Sequence, residues 1–156
     1  MKAASISIVK KELGELPPKE LLGICMRLAK YKKENKELLS YLLFDANDEQ
    51  QYIISVKQEI DLQFAEINRS TMYYIKKSIR KILKTTNKYI RYSGIRRTEV
   101  ELLIYFCTRL KTSGIKINSS TALSNLYQAQ VQKIGNALST LHEDLQYDYK
   151  QEMKIL

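Results

Sequence analysis

Ten basic residues lie between Arg69 and Arg97 with no carboxylate among them: Arg69, Lys76, Lys77, Arg80, Lys81, Lys84, Lys88, Arg91, Arg96 and Arg97. The chain holds 26 Lys and Arg against 17 Asp and Glu, so without this stretch the balance is 16 against 17. The whole positive excess sits in under a fifth of the chain. Cations at this density hold an acidic polymer by charge-assisted hydrogen bonds and by releasing its condensed counterions. Tyr73, Tyr74, Tyr89 and Tyr92 lie among them, and aromatic rings stack on unpaired bases. The expected polyanion-binding residues are Lys76, Lys77, Arg80, Lys81, Lys84, Lys88, Arg91, Arg96 and Arg97, with Tyr73 and Tyr74. The expected partner is an acidic macromolecule, DNA or RNA first and an acidic protein second. No helix-turn-helix, zinc-finger, RNP or KH signature narrows the choice.

Other reactive side chains do not assemble in the sequence. The single histidine, His142, is followed by Glu143 and Asp144, and Asp148 lies further on. Consecutive helical residues point about 100° apart, and the i+4 partner is Gln146, so no metal cluster is expected. Cys25 and Cys107 each lie in an apolar run, which suits separate buried thiols in a reducing compartment. Glu59 with Asp61, and Glu99 with Glu101, diverge on a helix and suit a solvated surface. The five glycines do not cluster into a phosphate-binding loop. No cofactor, metal or small-molecule substrate is implied, and the protein is expected to bind rather than catalyse.

A helix must carry the cations. Over Ser70 to Tyr92, Met72, Ile75, Ile79, Ile82, Leu83, Thr86, Tyr89 and Ile90 fall on one arc at about 100° per residue. Seven cations from Lys76 to Arg91 fall on another. Ser70 is the expected N-cap and Ser93-Gly94 the stop. The preceding segment offers a competing use for this charge: Asp45, Asp48, Glu49, Glu59, Asp61 and Glu66 stand against Lys57 alone. A helix there, packed antiparallel, would neutralise the basic face inside the protein.

The remaining helices follow from spacing and caps. One over residues 3–13 places Ile6, Val9 and Leu13 together. A second opens at Pro17-Pro18 and aligns Leu21, Ile24, Cys25, Leu28 and Tyr31. Asn35 is expected to cap a third, Lys36 to Phe44, with Leu38, Leu39, Leu42 and Leu43 inward. Asp48 with Gln51 reads as a capping box for a fourth, as does Thr98 with Glu101 for the sixth. That sixth helix is apolar on nearly all sides and should be central. Ser119-Ser120 caps the last, where Tyr127, Val131, Ile134, Leu138, Leu141 and Leu145 recur at heptad spacing. These six are the self-association candidates, and Gly135 marks a break or a close contact.

The fold class is therefore all-α in a single domain, residues 1–156. About seven helices are expected as antiparallel hairpins stacked into a short α-α superhelix; a closed helical bundle is the alternative. Glu37-Leu38-Leu39-Ser40-Tyr41 is echoed by Glu101-Leu102-Leu103-Ile104-Tyr105, in keeping with repeated hairpins. No window approaches the ~20 apolar residues of a membrane span, and Lys10-Lys11 interrupts the first apolar run too early for a signal peptide. A cytoplasmic protein without membrane insertion is expected. If the basic face is neutralised internally, the alternative is a scaffold acting through protein–protein contacts or as a homodimer through the C-terminal seam.

Overall fold

The computed structural model describes residues 2–156. The protein is all-α, with eight α-helices and no strand among the described residues. The chain divides into two compact units, one ending at Phe44 and the other beginning at Asp45.

The first unit holds α1 (Ile6–Gly14), α2 (Pro18–Tyr31) and α3 (Lys33–Ser40). Pro18 opens α2, its missing N–H being one that a first turn leaves unbonded in any case. α2 and α3 form a hairpin hinged at Lys32. Asn35 does not cap α3; its Nδ2 donates to the Leu28 carbonyl at 2.8 Å and closes the end of α2. α3 therefore begins before Asn35 and ends at Ser40, where a π-helical turn, Tyr41–Asp45, follows. No residue of these three helices is buried. The expected inward positions Ile24, Leu28, Leu42 and Leu43 are exposed, and so is Cys25. The reason is size: three short helices enclose too little volume for a core.

The second unit holds α4 (Glu49–Ala65), α5 (Met72–Ser93), α6 (Arg96–Thr112), α7 (Thr121–Leu138) and α8 (Glu143–Met153), with a 3-10 turn at Ile117–Ser119. α6 packs on α4, α5, α7 and α8 and is the central helix, as its all-round apolar pattern predicts. Val100, Leu102, Leu103, Phe106, Cys107 and Leu110 are fully enclosed there. Phe64 of α4 meets Phe106 with ring centroids 5.8 Å apart. Burial alone pushes the Cys107 thiol up to about 12, which leaves it a protonated core side chain rather than a nucleophile. α4 and α5 run antiparallel: Tyr52 at the start of α4 donates to the Tyr89 carbonyl near the end of α5 at 3.0 Å.

Two expectations fail in this unit. The Thr98–Glu101 capping box does not form. Gly94 takes a left-handed φ of 67°, the chain turns at once, and α6 restarts at Arg96. Thr98 is then buried in the first turn and donates to the Glu49 carboxylate instead.

The heptad seam is also not one helix. α7 runs through Gly135 to Leu138 and stops there. Ser139 Oγ donates to the Asn136 carbonyl at 2.8 Å and Thr140 Oγ1 to Ala137 at 2.7 Å, taking acceptors the next turn would need. Tyr127, Ile134 and Leu138 are buried in this unit, and Val131 is half-buried. Leu141 lies in the link and Leu145 on α8, both half-buried. The six self-association candidates therefore form no continuous exposed stripe. His142, the candidate metal head, caps α8 by accepting from Asp144 N at 3.4 Å. Among the described residues no group of three His, Cys, Asp or Glu converges to hold a metal ion. Nor is any helix among them long and apolar enough to cross a membrane.

Candidate nucleic-acid interface

α5 forms because its two ends are chemically marked and its buried side is apolar. Thr71, not Ser70, is the N-cap, its Oγ1 accepting from Tyr74 N at 3.4 Å. Gly94 closes the other end, its N–H donating to the Ile90 carbonyl at 2.9 Å. Ile79, Ile82, Thr86 and Ile90 are buried at spacings of three and four. Thr86 satisfies its buried hydroxyl by donating to Ile82 O at 3.0 Å. At 1.5 Å per residue, 22 residues make a rod of about 33 Å.

Opposite that stripe lie the cations. Lys77, Arg80, Lys81, Lys84 and Arg91 are exposed and Lys76 is half-buried. None of these six makes an ion pair among the described residues. Two causes combine. α5 has no acidic residue, so no i,i+4 pairing is available. The acids of α4 are engaged elsewhere. Asp61 Oδ1 lies 2.7 Å from Arg109 Nε on α6, and Asp61 Oδ2 accepts from Tyr105 at 2.6 Å. Burial and that bond push the Tyr105 phenol up to about 12. Glu49 accepts from Ser93 and Thr98, and Glu59 from Gln63 at 2.6 Å. Asp48 caps α4, accepting from Gln51 N at 3.0 Å, as its spacing predicts. Among the described residues no ion pair joins the acids of the 45–66 segment to the α5 cations. Asp61 bonds α6, Glu59 and Asp48 their own helix, and Glu49 the hydroxyls of Ser93 and Thr98.

The aromatic members divide. Tyr73 is 65% exposed and Tyr74 43%, their rings in edge contact at 5.3 Å. Tyr73 shares the helical side of Lys77, Arg80, Lys84 and Arg91 at about 100° per residue. Lys88 is committed differently, lying over the Tyr89 ring at 5.0 Å and the Tyr92 ring at 5.9 Å.

Arg96 and Arg97 part company on α6. Arg97 belongs to another cluster: its Nε donates to Tyr149 OH at 3.0 Å and to Glu101 Oε1 at 3.1 Å. The bond to Tyr149 raises the Arg97 pKa. Tyr149 itself, buried and donating to Glu101 at 2.7 Å, is pushed up to about 12. Lys57 completes the cluster, 3.5 Å from Glu101 Oε2. These groups pin α8 and α4 to α6, so Arg97, though exposed, is already paired with Glu101 and Tyr149 and stands apart from the unpaired α5 row. Arg96 faces a groove between α5, α6 and α7, where its Nη1 lies 2.6 Å from Glu99 Oε2. Lys133 of α7, absent from the sequence-based set, lies 3.3 Å from Glu99 Oε1 and donates to Asn87 Oδ1 at 2.9 Å. The available signal was its isolation, since Lys133 is the one charged residue in α7.

No protein-family model matches this chain, and no curated protein or solved structure matches it either.

Proposed function

We propose that this protein binds nucleic acid through phosphate contacts along α5, acting by association rather than catalysis. The supporting observation is the row Lys76, Lys77, Arg80, Lys81, Lys84 and Arg91, which has no carboxylate partner among the described residues. A rod of about 33 Å matches roughly one turn of duplex, or a comparable run of single strand. The exposed Tyr73 and Tyr74 favour the single strand, because only unpaired bases offer a free ring face. An acidic protein would meet the same charge but would have no particular use for that ring pair.

Fluorescence anisotropy with labelled single- and double-stranded oligonucleotides tests the reading. Lys77→Glu with Lys84→Glu should weaken binding by at least about a hundredfold, since contacts to charged groups contribute about 1.5–3 kcal/mol each. Tyr73→Ala should weaken the single strand alone. An unchanged affinity in the double variant would overturn the assignment to α5.

A further inference from the structure

We propose that the groove between α5, α6 and α7 is a seat for a phosphate monoester. The groove encloses about 730 Å³, within the range of small-ligand sites. Four cations from three helices converge on it: Lys84 and Arg91 of α5, Arg96 of α6 and Lys133 of α7. One carboxylate, Glu99, lies in it, leaving the lining with a net charge of +3.

Glu99 is what distinguishes this place from an ordinary basic surface. It is 7% exposed and bonds Arg96 on one oxygen and Lys133 on the other, at 2.6 and 3.3 Å. Asn87 holds Lys133 from a further side at 2.9 Å. Glu99 thereby draws two long, rotamer-rich side chains toward the groove before any ligand arrives, which lowers part of the entropy lost on binding. Lys84 and Arg91 stand opposite without ion-pair partners among the described residues. A phosphodiester carries a single negative charge. A monoester carries about −1.5 to −2 at neutral pH and offers three acceptor oxygens. A concave site with three uncompensated positive charges therefore favours the monoester, because concavity focuses the field that an exposed row disperses.

The source of that phosphate has two candidates, a free mononucleotide or the phosphorylated end of a strand. Lys84 and Arg91 belong both to the α5 row and to the groove wall, so a strand lying along α5 leads its end into the groove. That link alone rests on the nucleic-acid reading; the seat itself does not.

Isothermal titration of the full chain with adenosine 5′-monophosphate, and with adenosine as control, tests the seat. Oligonucleotides bearing a 5′-phosphate, a 3′-phosphate or hydroxyls at both ends test the source. The monophosphate should bind, adenosine should not, and Lys133→Gln should weaken the monophosphate by about tenfold, the loss of one charge-assisted contact. Arg96→Gln, on a more exposed side chain, repeats the test should Lys133→Gln melt early. One phosphorylated end should bind more tightly than the hydroxyl strand, with that preference lost in Lys133→Gln and kept in Lys77→Gln. Monophosphate binding that needs Lys133, with no oligonucleotide binding, upholds the seat and overturns the strand reading. No monophosphate binding together with indifference to terminal phosphates overturns the seat, whatever the strand affinity.

Discussion

Asp61 of α4 stands 2.7 Å from Arg109 of α6 while six cations of the neighbouring α5 stay without ion pairs among the described residues. Asp61 thus directs its charge to the core helix, while the exposed cations of α5 stay clear of ion pairs among the described residues. Asp61→Asn removes one part-exposed ion pair and weakens the bond from Tyr105, so unfolding free energy should drop by only about 0.5–1.5 kcal/mol. Oligonucleotide affinity should stay within about twofold, because Asp61 pairs with Arg109 and Tyr105 rather than with a cation of α5. A several-fold rise in affinity would show that it does.

Two glycines should respond to alanine with opposite signs. Gly94 has a φ of 67° and nothing within 4 Å of an added Cβ, so strain there is purely backbone. Gly94→Ala should lower stability by about 1–2 kcal/mol, the cost of a left-handed L-residue. Gly135 lies inside α7, also with nothing within 4 Å of an added Cβ. Gly135→Ala should raise stability by about 0.4–1 kcal/mol. Chemical denaturation of both variants checks the pair.

Core substitutions should divide between the units in the same way burial does. Leu103 is fully enclosed in α6, and Leu103→Ala should destabilise by about 2–5 kcal/mol. Leu28 in α2 is 55% exposed, and Leu28→Ala should stay below about 1 kcal/mol. Urea midpoints at constant slope give the comparison.

The alkaline limb of stability should be steep. Tyr105 and Tyr149 are each held up at about 12, against an ordinary value of 10.0, and Cys107 at about 12 against 9.0. The folded protein therefore keeps protons that the unfolded chain releases. This contribution is whole below the unfolded values and disappears as pH rises through the folded ones. Stability should fall between pH 9 and 12, and Tyr149→Phe should flatten that decline. A flat profile across this range would contradict the burial of these groups.

Much of the fold was legible because its signals are local. The buried stripe of α5, the Asp48 cap, the Gly94 stop and the central place of α6 each follow from neighbours in sequence. The misread boundaries arose where tertiary packing overrode a local preference. Thr98 has the spacing of a cap, yet Gly94 restarts the helix early and Glu49, distant in sequence, takes its hydroxyl. The C-terminal heptads share one spacing, yet Ser139 and Thr140 bind the last carbonyls of α7 and break the rod.

The candidate site shows the same division. The α5 row is a property of one helix and could be read directly. The groove needed Lys133 and Glu99, which are far apart in sequence and meet only when α7 packs on α6. The apolar residues of α1 to α3 read as core positions because periodicity reports amphipathicity, not whether anything covers it.

The salt dependence of oligonucleotide binding bears most directly on the α5 row. Six unpaired cations engaging a single strand should give a slope of log K against log salt of about −4, from about −0.7 for each phosphate neutralised. Lys77→Glu with Lys84→Glu should bring that slope below about −3 in magnitude. A slope near zero, or one that the double variant leaves unchanged, would contradict phosphate binding by this helix.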